Sequence, residues 1–265
     1  VADKNGFGNS HAILSAIEAA VDPNGDGDNS DKLDIISISM GGYGDSDGPL
    51  AKAVDRAVEA GITAVVSVGN LGRFGKLTIG APGVSRKAIT VGAVDKQDQI
   101  ADFSSRGPVS SSQGLINKPD IMAPGVDIYS AVPSTNCDLC HYSGYRYMEG
   151  TSMATPLVSG VVALLKQAYP EWSPEDIKSA LMITAKNLQI QPEEQGAGRV
   201  NAFRALNAPL LVVPGIIDFG FLESDEKTES IKIRNVKSET VGVRLENILG
   251  MEISQTELCL ESEQD

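Results

Sequence analysis

Residues 62–68 and 88–94 are continuous apolar runs of strand length without polar alternation. A strand that is apolar on both faces is buried on both faces, the pattern of a parallel sheet covered by helices. The neighbouring segments have helical spacing. After Pro49, the positions Leu50, Ala53, Val54, Ala57 and Val58 share one face, and Gly61 stands where such a helix ends. Upstream, Asn9 or Ser10 caps a segment with Ile13, Ile17 and Val21 on one side. Residues 33–40 read as another buried strand, residues 126–132 as a short one, and residues 101–120 mostly as loop. A buried helix is predicted from Thr151 to about Tyr169. Ser173-Pro174-Glu175-Asp176 opens the next one, with cap and proline in order. Gly196-Ala-Gly198-Arg-Val-Asn201 turns into a short last helix ending near Leu206. Residues 1–207 are therefore expected to form an α/β domain, a three-layer parallel sheet with helices on both faces.

From Pro209 the pattern changes. Residues 210–213, 216–221, 230–236 and 241–248 have strand character, some alternating as in Ile231-Lys-Ile233-Arg-Asn-Val236. Residues 209–265 read as a partial antiparallel β-sandwich, with a disordered tail over residues 261–265. A chain of 265 residues that is 42% hydrophobic can bury one good core and a small second one. The net charge of −13 argues against nucleic acid or an anionic membrane surface as partner, because both need basic patches. No apolar run is long enough to span a membrane.

The chemistry centres on residues 150–156, Gly-Thr-Ser-Met-Ala-Thr-Pro, which open the long helix. The first amides of a helix lack partners and the dipole is positive there, so a hydroxyl on that turn can attack a carbonyl while N–H groups face the oxyanion. A serine before a helix is also a common cap. Asn70 follows Gly69 at the carboxyl end of a buried strand, where parallel sheets place their sites. On its own it would read equally as a turn residue.

Taken whole, the heptapeptide resembles the nucleophile motif of the subtilisin-like serine proteases. Other segments resemble that family in the same order: residues 36–42, 66–70, 78–82, 91–95, 103–107 and 122–125, so the resemblance covers residues 1 to about 207. It implies a serine endopeptidase acting through an acyl-enzyme on a peptide or protein substrate. Ser152 would be the nucleophile, and Asn70 would donate to the oxyanion together with the Ser152 amide. Ser39, Met40, Gly41, Gly42, Val68 and Gly69 would flank the peptide, the glycines allowing close approach. Gly80 belongs to the base of the specificity pocket, where Ala81-Pro82 is expected to be cis. Resemblance and acidity together imply an extracellular protein.

The departures are as informative. The family places its catalytic Asp and His upstream of the serine, and neither motif is in this chain. His11 lies at the start of a helix that follows the catalytic His in the family and reads as a capping or solvent-facing residue. His141 stands in the wrong order. Leu157 replaces a non-catalytic His frequent in the nucleophile helix. The base and its carboxylate are thus expected upstream of Val1, in an amino-terminal part of the same protease. The alternative is an inactive pseudoprotease whose groove binds peptides without cutting. Asp22, Asn24, Asp26 and Asp28 alternate like the oxygen ligands of a Ca²⁺ loop, but Leu33 stands at the twelfth position, and a polar connector is the equal reading. Cys137-Asp-Leu-Cys140-His141 matches a haem-attachment spacing without any other iron ligand. A local disulfide is the favoured special reading, and two free thiols the ordinary one.

Overall fold

In the computed structural model the described residues are 8–112, 114–134, 141–217, 219, 227–246 and 252–262. Cys137 and Cys140, the tail from residue 263 and half of the expected strand over 216–221 lie outside them.

Helix α1 (Ser10–Val21) starts where the sequence places it, the Asn9 side chain accepting from the Ala12 amide at 2.8 Å. Strand β1 (Ile35–Ile38) leads to α2 (Pro49–Glu59), with Pro49 in the first turn, and α2 is followed by β2 (Thr63–Ser67) and β3 (Ile89–Val94). The expected loop over 101–120 contains a small hairpin, β4 (Val109–Ser111) with β5 (Gly114–Ile116). Strand β6 (Ile121–Pro124) completes a four-stranded sheet of order β1-β2-β3-β6, parallel throughout.

The pleat of β2 explains the layering. Ala64 and Val66 bury among Ile17, Ala20, Val54, Ala57 and Val58 of α1 and α2. Val65 points the other way, into a cluster with Ala154, Val158, Val162 and Leu165. Those four belong to α3 (Thr151–Ala168), which crosses under the whole sheet. Before it comes an antiparallel ribbon, β7 (Ile128–Ala131) with β8 (Tyr145–Met148). The sequence pattern indicates its first strand only.

Helix α4 (Pro174–Ile183) begins with a reciprocal capping box between Ser173 and Asp176, and its Ile177, Ala180 and Leu181 join the α3 cluster. The short helices α5 (Pro192–Gln195) and α6 (Ala202–Leu206) follow, α5 being unforeseen. The α/β architecture with helices on both faces is thus as expected. Two details differ. β1 is half-buried rather than buried, because it is an edge of the described sheet and Ser37 is exposed. α3 is not buried all round, since Leu157 and Leu164 are exposed.

After α6, β9 (Leu210–Val213) pairs antiparallel with β10 (Lys232–Asn235), and β11 (Val241–Arg244) with β12 (Glu257–Leu260). β9 is tied to the α/β part. Leu211 is buried in the α3 cluster, and the Ser179 hydroxyl accepts from the Val212 amide at 2.7 Å.

Candidate active site

Residues 39–42 leave β1 and residues 69–70 leave β2 at neighbouring carboxyl ends of the parallel strands. The N-terminus of α3 lies against both. The contact with β1 is reciprocal: Ser152 Oγ donates to the Ser39 carbonyl and Ser39 Oγ donates to the Ser152 carbonyl, each at 3.1 Å. The contact with β2 is made by Asn70. Its Oδ1 accepts both the Thr151 amide and the Thr151 hydroxyl, each at 3.0 Å. These two bonds fix the carboxamide and leave its Nδ2 as the outward donor. That nitrogen lies 3.5 Å from the point where a Cβ on Gly150 would stand. Asn70 is exposed and Ser152 half-buried, so both are open to a ligand.

A cleft of about 600 Å³ runs along these residues. Ser39, Met40, Gly41, Gly42, Gly69, Asn70, Thr151 and Ser152 line it, joined by Ile13, Leu50 and Ala81. Gly80 lies behind the lining, and its Cα needs to be bare: a Cβ there would stand 2.1 Å from the Gly42 carbonyl oxygen. This approach sets the bridge in which the Gly42 amide donates to the Ala81 carbonyl at 3.0 Å. The Ala81–Pro82 peptide is cis, as expected from the sequence. Val68, expected to flank the ligand, buries its side chain with Ala51, Ile79 and Val84, which leaves its main chain for that role.

Neither histidine reaches the serine. His11 is exposed on the first turn of α1, and His141 bonds Ser143 Oγ at 2.7 Å and rests against the Tyr142 ring. Ser152 Oγ therefore has a carbonyl, not an imidazole, as its partner.

In the acidic loop, the Asp22 carboxylate accepts the amides of Gly25, Asp26 and Gly27. Asp26 and Asp28 each accept the amide two residues on. Among the described residues no group of three His, Cys, Asp or Glu side chains converges. The carboxylates of Asp22, Asp26 and Asp28 are thus engaged by main-chain amides of their own loop.

Sequence reasoning missed a buried charge cluster at the opposite end of the strands. Asp120 is fully buried, accepts from Lys118 at 2.6 Å and from the Thr90 amide at 2.7 Å, and forms an ion pair with Lys178 of α4 at 2.8 Å. Both ammonium groups also donate to the Ala88 carbonyl. Burial would raise the Asp120 pKa, but the two lysines outweigh it and hold it below the usual carboxylate value. Burial pulls Lys118 down to about 8, against the restoring charge of Asp120. The only sequence signal was Lys118-Pro-Asp120 itself, two charges beside an apolar strand.

The family model of the subtilase family matches residues 1–198. This chain belongs to the subtilase family. It is 40% identical over 222 residues to the serine protease AprX of Bacillus subtilis, an alignment covering 76% of this chain and 49% of AprX. It is 37% identical to the minor extracellular protease Vpr of the same organism, over 69% of this chain and 26% of Vpr. With subtilisin DY of Bacillus licheniformis it shares 39% identity, over 71% of this chain and 60% of that protein. Among solved structures, the prenylagaramide maturation protease PagA superposes with a TM-score of 0.60 at 27% identity, covering 78% of this chain and 70% of PagA. The chain thus spans about half the length of AprX and a quarter of Vpr.

Proposed function

We propose that this subtilase chain carries the nucleophile and the oxyanion site of a serine endopeptidase whose base and orienting carboxylate are supplied from outside residues 1–265. The observation that carries the reading is the Asn70 carboxamide, clamped by Thr151 one residue before Ser152 at the mouth of a cleft.

A peptide laid along residues 39–42 adds to the glycine-rich segment by main-chain bonds. Its scissile carbonyl then meets Ser152 Oγ, while Asn70 Nδ2 and the Ser152 amide take the developing oxyanion. An imidazole base must displace the Ser39 carbonyl as partner of the hydroxyl, take its proton during attack and return it to the leaving amine. Ile13, Met40 and Leu50 give the cleft an apolar wall suited to an apolar substrate side chain. Within the described residues β1 pairs with β2 alone, so its outer edge is where the amino-terminal part of the protease would join the sheet.

Secretion is part of the proposal, by analogy with relatives such as Vpr, which is named extracellular. So is a β-sandwich over residues 209–265, for which the two antiparallel pairs are the support.

The test is hydrolysis of an unstructured protein substrate by the full-length gene product and by its Ser152→Ala variant. We expect turnover in the parent and a loss of about a millionfold in the variant, the scale measured for the nucleophile of subtilisin, a relative. The pseudoprotease reading is favoured by the Ser152–Ser39 bond, which engages the hydroxyl without a base. It gains if the folded parent binds the substrate and does not turn it over.

A further inference from the structure

The segment Phe103-Ser-Ser105-Arg-Gly107 matches the family in sequence but has no role in the chemistry so far. In the fold it lies directly behind Asn70. Ser105 is fully buried, and it bonds the chain on both sides of the asparagine. Its amide donates to the Gly69 carbonyl at 3.0 Å, and its Oγ accepts from the Leu71 amide at 3.0 Å. One residue further on, the Gly72 amide donates to the Phe103 carbonyl at 2.8 Å.

The fit is close. Gly69 has φ of +98°, and a Cβ there would stand 3.3 Å from Ser105 Oγ. The grip is also anchored, because the neighbouring Ser104 Oγ accepts from the Ala93 amide of β3 at 3.0 Å. Rigid sheet, Ser104, Ser105 and the turn at Gly69–Leu71 thus form one bonded sequence that ends at Asn70.

We propose that Ser105 is a positioning residue for the oxyanion donor: it fixes the backbone of Asn70 from behind while Thr151 fixes the side chain from the front. The inference rests on the function proposed above. Ser105 touches no reacting atom. Its work is to hold the Asn70 Nδ2 where charge develops, and a donor displaced by a fraction of an ångström loses its advantage in the transition state. The effect therefore belongs in kcat and not in ground-state binding.

The experiment uses the full-length gene product and steady-state hydrolysis of a peptide amide. Ser105→Ala removes the acceptor and keeps the amide. We expect kcat to fall by roughly ten- to a hundredfold, with KM within about twofold. Ser179→Ala is the matched control, since it too deletes a buried hydroxyl that accepts one backbone amide, far from the cleft. Its melting temperature should fall by a similar amount with kcat unchanged.

Asn70→Ala is expected to cost about a hundred- to a thousandfold, the range measured for such a donor in subtilisin. Adding Ser105→Ala to it should cost nothing further, because both act through one carboxamide. Should Ser105→Ala fail to fold, Ser105→Cys keeps the side chain's shape with a somewhat larger atom and a weak acceptor and should show a partial loss of kcat. Unchanged kcat in the folded Ser105 variants overturns the proposal. So does a loss that adds in full to that of Asn70→Ala, or an equal loss in Ser179→Ala. A parent without turnover overturns the proposed function first, and this inference with it.

Discussion

The two ends of the parallel strands handle polar groups in opposite ways. At the amino end of β3 and β6, Asp120 and Lys118 are buried and engaged, each paired with a charge of opposite sign and bonded to main chain. At the carboxyl end of β1 and β2, Ser152 and Asn70 are open to the cleft, and among the described residues the Asn70 side chain is bonded through its oxygen. A buried cluster of paired charges, closed off from solvent, holds a fold in one arrangement and is not reached by a ligand. A half-satisfied group at a strand's carboxyl end has capacity left for a substrate. The same sheet therefore supplies rigidity from one end and chemistry from the other.

Substitutions separate the two ends. Asp120→Ala strands two lysines, one of them fully buried, and should cost roughly 3–5 kcal/mol, the range for breaking a buried pair. Denaturant unfolding measures it. Ser152→Ala should leave the unfolding midpoint nearly unmoved, so a similar loss of stability there would erase the contrast.

The second effect is in pH. Because Lys118 titrates near 8 in the fold against its ordinary 10.5, the unfolded chain binds more protons between those values. Stability from this group therefore rises as pH goes from about 8 to 10.5, and is at its lowest below 8. Unfolding free energies of the parent and of Lys118→Met should be compared across that window, the parent gaining with pH relative to the variant. A flat difference contradicts the burial of a charged lysine.

The smallest effect is expected at the acidic loop. Its carboxylates already accept loop amides, so a chelator should shift the melting temperature by less than about 1 °C. A drop of several degrees would mean that the loop holds calcium after all.

Much of this was legible in the residues. The unalternating runs at β2 and β3 announced a sheet covered on both faces, and capping chemistry placed the starts of α1, α2 and α4. The seven residues around Ser152 and the Gly69-Asn70 pair marked the site, because nucleophile and donor each sit in a local motif.

What escaped depends on contacts distant in sequence. β8 has little apolar alternation and exists through its pairing with β7. The burial of the Val68 side chain with Ala51, Ile79 and Val84 joins segments distant in sequence. The grip of Ser105 on Asn70 spans thirty-five positions, and nothing in either segment reports the other. The half-exposed β1 is a matter of what lies next to it, which periodicity within a strand does not encode.

The most direct measurement is labelling of the folded full-length gene product by a fluorophosphonate, with the modified residue mapped by mass spectrometry. The expected result is a single adduct on Ser152, formed far more slowly in Asn70→Ala. A correctly folded protein that takes no label, or takes it elsewhere, would contradict the claim that Ser152 and Asn70 are the reacting pair.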